Sequence, residues 1–346
     1  MSSAQPGTRF AGTAPSSFAK SLFLAEIHEE MVFPYPRLSD DERAKVDELI
    51  ARFGAVTADY DPRAAEEQRW VGDGLIAALG EAGLLGLHVP TRYGGQGLSQ
   101  TGYCKVFEAV AALDPTLSVV MGVHQSIGYK AITLFGSYEQ KQRFLPDLAS
   151  GRMLACFALT EESAGSDAYH VQSRATRQAD GSWLLNGEKR YIGNGSKAGL
   201  FTTLARAEVD GRDSHIVLIV TADMAGFEVG ERFDTMGLRA NDLRRLRFRD
   251  VRVPPENVLG EPGEGFQIAM QVLNNGRMSL GSGSVGGARR MLELAIDHTR
   301  RREQFGRPLA EFALVREKIG WMACNLYGLE SMSYLTTGLV DRGVED

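Results

Sequence analysis

A run of small, hydroxyl-bearing and acidic residues, Leu159-Thr160-Glu161-Glu162-Ser163-Ala164-Gly165-Ser166-Asp167, directly follows the apolar stretch from Met153 to Ala158. Its residue types suit the binding of a polar cofactor. Threonine and serine hydroxyls donate and accept without bulk, Gly165 lets backbone approach a ligand closely, and successive amides in such a turn form an anion-accepting concavity. The same composition also makes an ordinary surface turn, so the run gains meaning only from what accompanies it.

Three further segments follow it in fixed order. They are Leu185-Asn186-Gly187-Glu188-Lys189-Arg190-Tyr191-Ile192-Gly193-Asn194-Gly195, then Asp250-Val251-Arg252-Val253-Pro254-Pro255-Glu256-Asn257-Val258-Leu259-Gly260, then Arg302-Glu303-Gln304-Phe305-Gly306. Together the four motifs resemble the acyl-CoA dehydrogenase family, from about Ser17 to the last residue. Phe33-Pro34-Tyr35-Pro36 and Leu273-Asn274-Asn275-Gly276-Arg277 look similar to its very-long-chain branch.

The resemblance implies FAD-dependent α,β-dehydrogenation of fatty acyl-CoA thioesters to trans-2-enoyl-CoA in fatty acid β-oxidation, with electrons passed to an electron-transferring flavoprotein. The flavin supplies the redox chemistry, while the protein supplies orientation and electrostatics. By the same resemblance, Phe157, Leu159, Thr160 and Ser166 line one side of FAD, with Thr160 at the ring edge and Ser166 beside a phosphate of the cofactor or of CoA. Tyr191, Ile192 and Gly193 match a second flavin contact with two departures: Tyr191 stands where relatives usually have Trp, and Gly193 where they have a hydroxyl residue that donates to the flavin. Glu162 stands where the family usually has proline and reads as a solvated charge.

Arg302, Gln304 and Phe305 match a segment that reaches the partner's FAD across a dimer interface, which implies a homodimer or a dimer of dimers. Asn274 and Arg277 match positions that hold the polar part of CoA. One subgroup carries its catalytic glutamate where this chain has Gly276; the other base position lies beyond Asp346. Glu330 and Glu345 match non-catalytic positions and read as surface charges. No catalytic base is therefore expected within the chain, and turnover of the isolated chain is expected to be impaired. Two other readings stay open: a catalytically silent fragment or binding protein, and an acyl-CoA oxidase.

With 346 residues, 43% of them hydrophobic, the chain can bury a sizeable core. Its 38 basic and 44 acidic residues give a net charge of -6, so nothing draws it in bulk to nucleic acid or an anionic membrane. Cys104, Cys156 and Cys324 show no paired spacing and read as buried free thiols; the histidines show no ligand spacing, so no metal is expected. No apolar run approaches the ~18 residues of a membrane span, and the start from Met1 to Lys20 lacks a targeting pattern. The expectation is a cytoplasmic protein with a disordered start.

The elements that must carry these motifs define an α+β chain. Residues 1–37 read as a disordered start and lead-in, 38–152 as an N-terminal helical domain, 153–265 as a middle β-barrel or sandwich domain, and 266–346 as an incomplete C-terminal helical bundle with two long helices. Ser39 with Glu42, and Ser137 with Gln140, predict capping boxes; Val46, Leu49, Ile50 and Phe53, then Leu75, Ile76 and Leu79, then Tyr103, Val106, Phe107 and Val110 recur at helical spacing. Asp180-Gly181 and Asn186-Gly187 predict hairpins, and Leu246-Arg247-Phe248-Arg249 alternates as a strand. Leu314, Val315, Ile319, Met322 and Leu326 mark a late helix, and two helices alone bury little, so this unit requires more chain or a partner. Gly281-Ser282-Gly283-Ser284-Val285-Gly286 fits a dinucleotide fingerprint but lacks the preceding strand, and reads instead as small residues that let two helices approach.

Overall fold

The computed structural model describes residues 17–343; the expectations for Met1 to Ser16 and for Glu345 lie outside them. Among the described residues nine α-helices come first: α1 (Phe18–Phe23), α2 (Glu29–Val32), α3 (Asp40–Val56), α4 (Pro62–Gln68), α5 (Asp73–Glu81), α6 (Gln100–Leu113), α7 (Pro115–Gly122), then after a π-helical turn, Val123–Gly128, α8 (Lys130–Phe135) and α9 (Tyr138–Ala149). Eight strands follow: β1 (Leu154–Ala158), β2 (Arg174–Arg177), β3 (Trp183–Ile192), β4 (Ala198–Val209), β5 (Arg212–Thr221), β6 (Phe227–Arg232), β7 (Arg244–Val253) and β8 (Val258–Leu259). The long helix α10 (Gly265–Arg301), a small hairpin of β9 (Glu303–Gln304) and β10 (Arg307–Pro308), and helix α11 (Ala313–Asp341) complete the described chain.

Local chemistry starts most of these helices. Ser39, Ser99, Asp114 and Ser137 each accept a backbone N–H at a helix N-terminus, and Pro115 occupies the first turn of α7 where its missing N–H costs nothing. The Ser137 and Gln140 box forms as predicted. The Ser39 box forms only by half: Ser39 receives the Glu42 N–H, but the Glu42 carboxylate accepts the N–H of Ser99 at 2.7 Å instead, tying α3 to the start of α6. A tertiary donor outcompetes the local one.

The sheet runs β6-β7-β3-β2-β4-β5-β8, with β1 pairing in parallel with β4. Ile216 to Val220 of β5 are buried throughout, and Leu246 and Phe248 of β7 face inward as their alternation predicts. Asp180-Gly181 turns β2 into β3. Asn186-Gly187 does not turn the chain: both residues lie inside β3, where Gly187 takes φ +143° at a register shift against β7. A Cβ there would lie 2.7 Å from Ser173 Cα, so the glycine serves close strand contact rather than a hairpin.

One apolar cluster joins α3, α5, α6 and α7 to a sheet face, and a second joins α8, α9, β1, β4 and β5 to the first turns of α10. The glycine and serine run of α10 has no strand before it and lies inside one continuous helix. Gly286 there meets α6 so closely that an added Cβ would lie 3.0 Å from Glu108 Cα and press on the Glu108 carbonyl. On α11 the periodic stripe is only partly covered among the described residues: Leu326 is buried, while Leu314 is exposed. Cys104 and Cys156 are buried free thiols, but Cys324 is exposed on α11, as are Trp321 and Tyr327. No helix among the described residues is long and apolar enough to cross a membrane.

Candidate functional site

Strands β1 and β3 bring two of the sequence motifs together. Arg190 donates its backbone N–H to the Thr160 carbonyl at 2.8 Å, so the turn after β1 lies against the end of β3. Beneath that contact the Lys189 ammonium donates to the Leu159 carbonyl at 3.0 Å and to Glu161 Oε1 at 2.7 Å. Glu161 also accepts the backbone N–H of Ser173 at 3.0 Å and that of Gln172. Burial works to raise the Glu161 carboxyl, but Lys189 and these donors hold it below the usual carboxylate range. Burial pushes the Lys189 ammonium down to about 8 although Glu161 pulls the other way. The turn is thus clamped from inside, with Phe157 and Leu159 buried, Thr160 half-buried, and Gly165 and Ser166 exposed.

The second turn has a different character. Tyr191 adopts φ +56° and leaves 48% of its surface exposed, its ring 4.5 Å from that of Phe233, with the Arg190 guanidinium 4.4 Å from its centroid. Glu162 pairs with Arg190 and is exposed. Ile192 is buried. Gly193 faces two neighbours: a Cβ on it would lie 3.0 Å from Val123 Cγ2 and 3.1 Å from Asn241 Oδ1.

Val123 also lines an apolar cavity of about 610 Å³. Its walls are Phe107 and Ala111 of α6, Val119 of α7, Ser126 and Ile127 of the π-helical turn, and one face of α10. On that face Gly276, Ser279, Gly283 and Gly287 follow helical spacing, which opens a trough roughly 16 Å long at 1.5 Å rise per residue. Gly276 is needed at its near end, because a Cβ would lie 2.7 Å from Ile127 Cγ2. The small residues of α10 thus serve two purposes, close approach at Gly286 and open trough space at Gly287. Among the described residues, no aspartate or glutamate lines this cavity.

His124, next to Val123 of the trough wall, ties the π-helical turn to β1. In the π-helical turn its Nε2 bonds the Leu148 carbonyl at 3.0 Å and its Nδ1 accepts the N–H of Ala155 in β1 at 3.0 Å, so both ring nitrogens are used and the ring is held neutral. Burial pushes its pKa down to about 4, against the carbonyl bonds. A second cavity, of about 640 Å³ between α3, α6, α10 and α11, includes neither turn. Its polar wall is self-satisfied: Tyr334 donates to Glu108 at 2.5 Å, and Arg289 pairs with Glu330. Glu330 is therefore a partly buried member of a network rather than a free surface charge.

The remaining sequence candidates fall in two places. Arg277 lies on the trough wall and hydrogen-bonds Asn274, one helical turn back. Arg302, Gln304 and Phe305 sit at the far end of α10, about 39 Å along the helix from Gly276. Phe305 is 93% exposed there, with φ +53°, at the tip of the β9–β10 hairpin. The described chain does not bring these three to the Thr160 and Tyr191 turns. Sequence reasoning missed Lys189, His124 and Asn241; only Lys189, an ionisable residue inside a strand motif, offered a signal.

Three family descriptions match the chain in succession: acyl-CoA dehydrogenase, N-terminal domain, over residues 40–152; middle domain, over 156–251; and C-terminal domain, over 263–346. The chain belongs to the acyl-CoA dehydrogenase family. Over 97% of its length it is 36% identical to the very long-chain specific acyl-CoA dehydrogenase, mitochondrial, of Bos taurus, of which it covers 53%. It therefore spans about half the length of the curated relatives it matches. Among solved structures, butyryl-CoA dehydrogenase from Megasphaera elsdenii superposes with a TM-score of 0.83 at 29% identity, covering 90% of this chain and 82% of that one. An acyl-CoA dehydrogenase from Bacillus anthracis complexed with FAD gives a TM-score of 0.83 at 36% identity, over 92% of this chain and 54% of that one.

Proposed function

We propose that this chain carries the flavin cradle and acyl trough of an enzyme that dehydrogenates fatty acyl-CoA thioesters. The observation that supports it is a single juxtaposition: the Thr160 and Tyr191 turns meet, and Gly193 at their edge shares Val123 with the apolar cavity. The local residues fit FAD. Gly165 has open space above it, Tyr191 offers an exposed ring, and Asn194 Oδ1 and Asn241 Oδ1 are buried acceptors without partners among the described residues. Bound flavin would supply the hydride-accepting chemistry. Phe157, Leu159, Thr160, Ile192 and Gly193 would hold its ring system, Tyr191 would cover it, and Ser166 would meet a phosphate.

In this reading the trough takes a long acyl chain, its small residues leaving room for methylenes that prefer it to water. Arg277 and Asn274 hold the polar part of CoA. The described span supplies cradle and trough but not the base that removes the α-proton. The exposed Arg302, Gln304 and Phe305 hairpin suits a contact in a second subunit, and electrons leave to an electron-transferring flavoprotein. An aqueous, reducing compartment such as the cytoplasm suits the two buried thiols.

The test is direct. Purified chain titrated with FAD is expected to turn yellow and quench flavin fluorescence, and palmitoyl-CoA is expected to perturb the bound flavin spectrum. A folded chain that takes up no FAD overturns the reading; peroxide release during turnover would move it to the oxidase class.

A further inference from the structure

Asn241 is out of keeping with its surroundings. It lies between β6 and β7, only 7% exposed, and its backbone is fully used: its N–H donates to Leu238 and its carbonyl accepts from Leu243. The neighbouring Asp242 is saturated by Ser196 N and Oγ, both at 2.7 Å, and Arg244 Nε at 2.7 Å. The Asn241 side chain makes no such bonds, and its Oδ1 is buried without a partner among the described residues. Buried polar side chains in folded proteins are nearly always paired, so an orphan beside a candidate site points to a group supplied from outside the chain.

Its position says which group. The Asn241 carboxamide surrounds the space that a side chain on Gly193 would enter, Oδ1 at 3.1 Å and Nδ2 at 3.5 Å from that point, with Val123 Cγ2 at 3.0 Å on the other side. Val123 and Leu238 both line the trough. The carboxamide therefore stands at the corner where the end of β3 meets the cavity, beside a residue that can offer a ligand only its backbone.

We propose that Asn241 is a flavin-contacting residue, its unpaired Oδ1 accepting a hydrogen bond from a ring N–H of the flavin at the Tyr191 to Gly193 turn. The proposal rests on the flavin reading above. The reduced flavin ring carries more N–H groups than the oxidised one, so an acceptor at that edge favours binding and favours the reduced form, and Asn241 sets affinity and potential rather than fold. It also explains how Gly193 is tolerated: one side chain fills the corner, and it comes from position 241.

The test uses the purified chain with FAD alone. Asn241→Ala is expected to weaken FAD binding about fivefold, the worth of one net hydrogen bond, and to lower the midpoint potential of bound flavin measured by dye equilibration. Asn241→Leu keeps the bulk and removes both polar ends, and is expected to do the same with an unchanged thermal melt of the apoprotein. Adding Gly193→Ser to Asn241→Ala is expected to recover affinity and potential, because the hydroxyl enters the vacated space; additive losses would overturn the proposal. So would unchanged affinity and potential in Asn241→Ala and Asn241→Leu when the parent chain binds FAD. A parent chain that binds no FAD overturns the flavin reading itself, and this proposal with it.

Discussion

Lys189 donates its ammonium to Glu161 over 2.7 Å at a point where Lys189 has no exposed surface, and the same ammonium holds the Leu159 carbonyl. One buried cation thus fixes the backbone on which Thr160 is presented. Removing it leaves a carboxylate in a dry place. Lys189→Met is expected to cost about 3–5 kcal/mol in urea unfolding, and pairing it with Glu161→Leu is expected to recover much of that loss.

His124 makes the fold acid-sensitive in a defined window. Its folded pKa, about 4, lies below the ordinary value of 6.5, so the unfolded chain takes up the proton first. Stability is complete above pH 6.5 and falls as pH drops from 6.5 toward 4, by about 3 kcal/mol from this ring alone. Urea midpoints measured across that range in the parent and in His124→Gln are expected to converge as pH falls. An equal slope in both would assign the acid loss elsewhere.

Gly287 lines the trough, and a Cβ there meets nothing within 4 Å. Gly287→Leu is expected to leave the apoprotein melt nearly unchanged while shortening the space for an acyl chain. Each methylene kept out costs about 0.8 kcal/mol of binding. Palmitoyl-CoA should therefore lose affinity for the FAD-loaded chain while hexanoyl-CoA does not, a contrast that calorimetric titration reads directly.

Gly286 offers the opposite case on the same helix. A Cβ there would push into the Glu108 backbone, so α10 and α6 must separate. Gly286→Ala is expected to destabilise by about 1–3 kcal/mol in thermal or urea unfolding, whereas Gly281→Ala, with open space around it, is expected to stabilise α10 slightly.

The helical and strand segments were legible because their cause is periodic. Tyr103, Val106, Phe107 and Val110 are all buried on α6, and Leu246 and Phe248 on β7, as spacing alone predicts. What escaped depends on contacts distant in sequence. Glu42 leaves its own helix to bind Ser99, and Gly187 answers to Ser173 across the sheet, so local turn and cap rules misread both. The two turns of the candidate site were legible as motifs, but their adjacency needs Arg190 and Thr160 to meet across 30 residues. Asn241 carried no signal at all, since an unpaired amide is visible only once everything around it has been placed.

The six-residue turn from Val123 to Gly128 winds more widely than the helices on either side, and that width is a matter of chain length rather than of side chains. Every residue of a helix turns the next by about 100°. Dropping one residue here would tighten the coil and swing α8 around its axis. Val123, Ser126 and Ile127 would leave the trough together, and His124 would lose its hold on β1. The region tolerates exchange of atoms far better than a change in count.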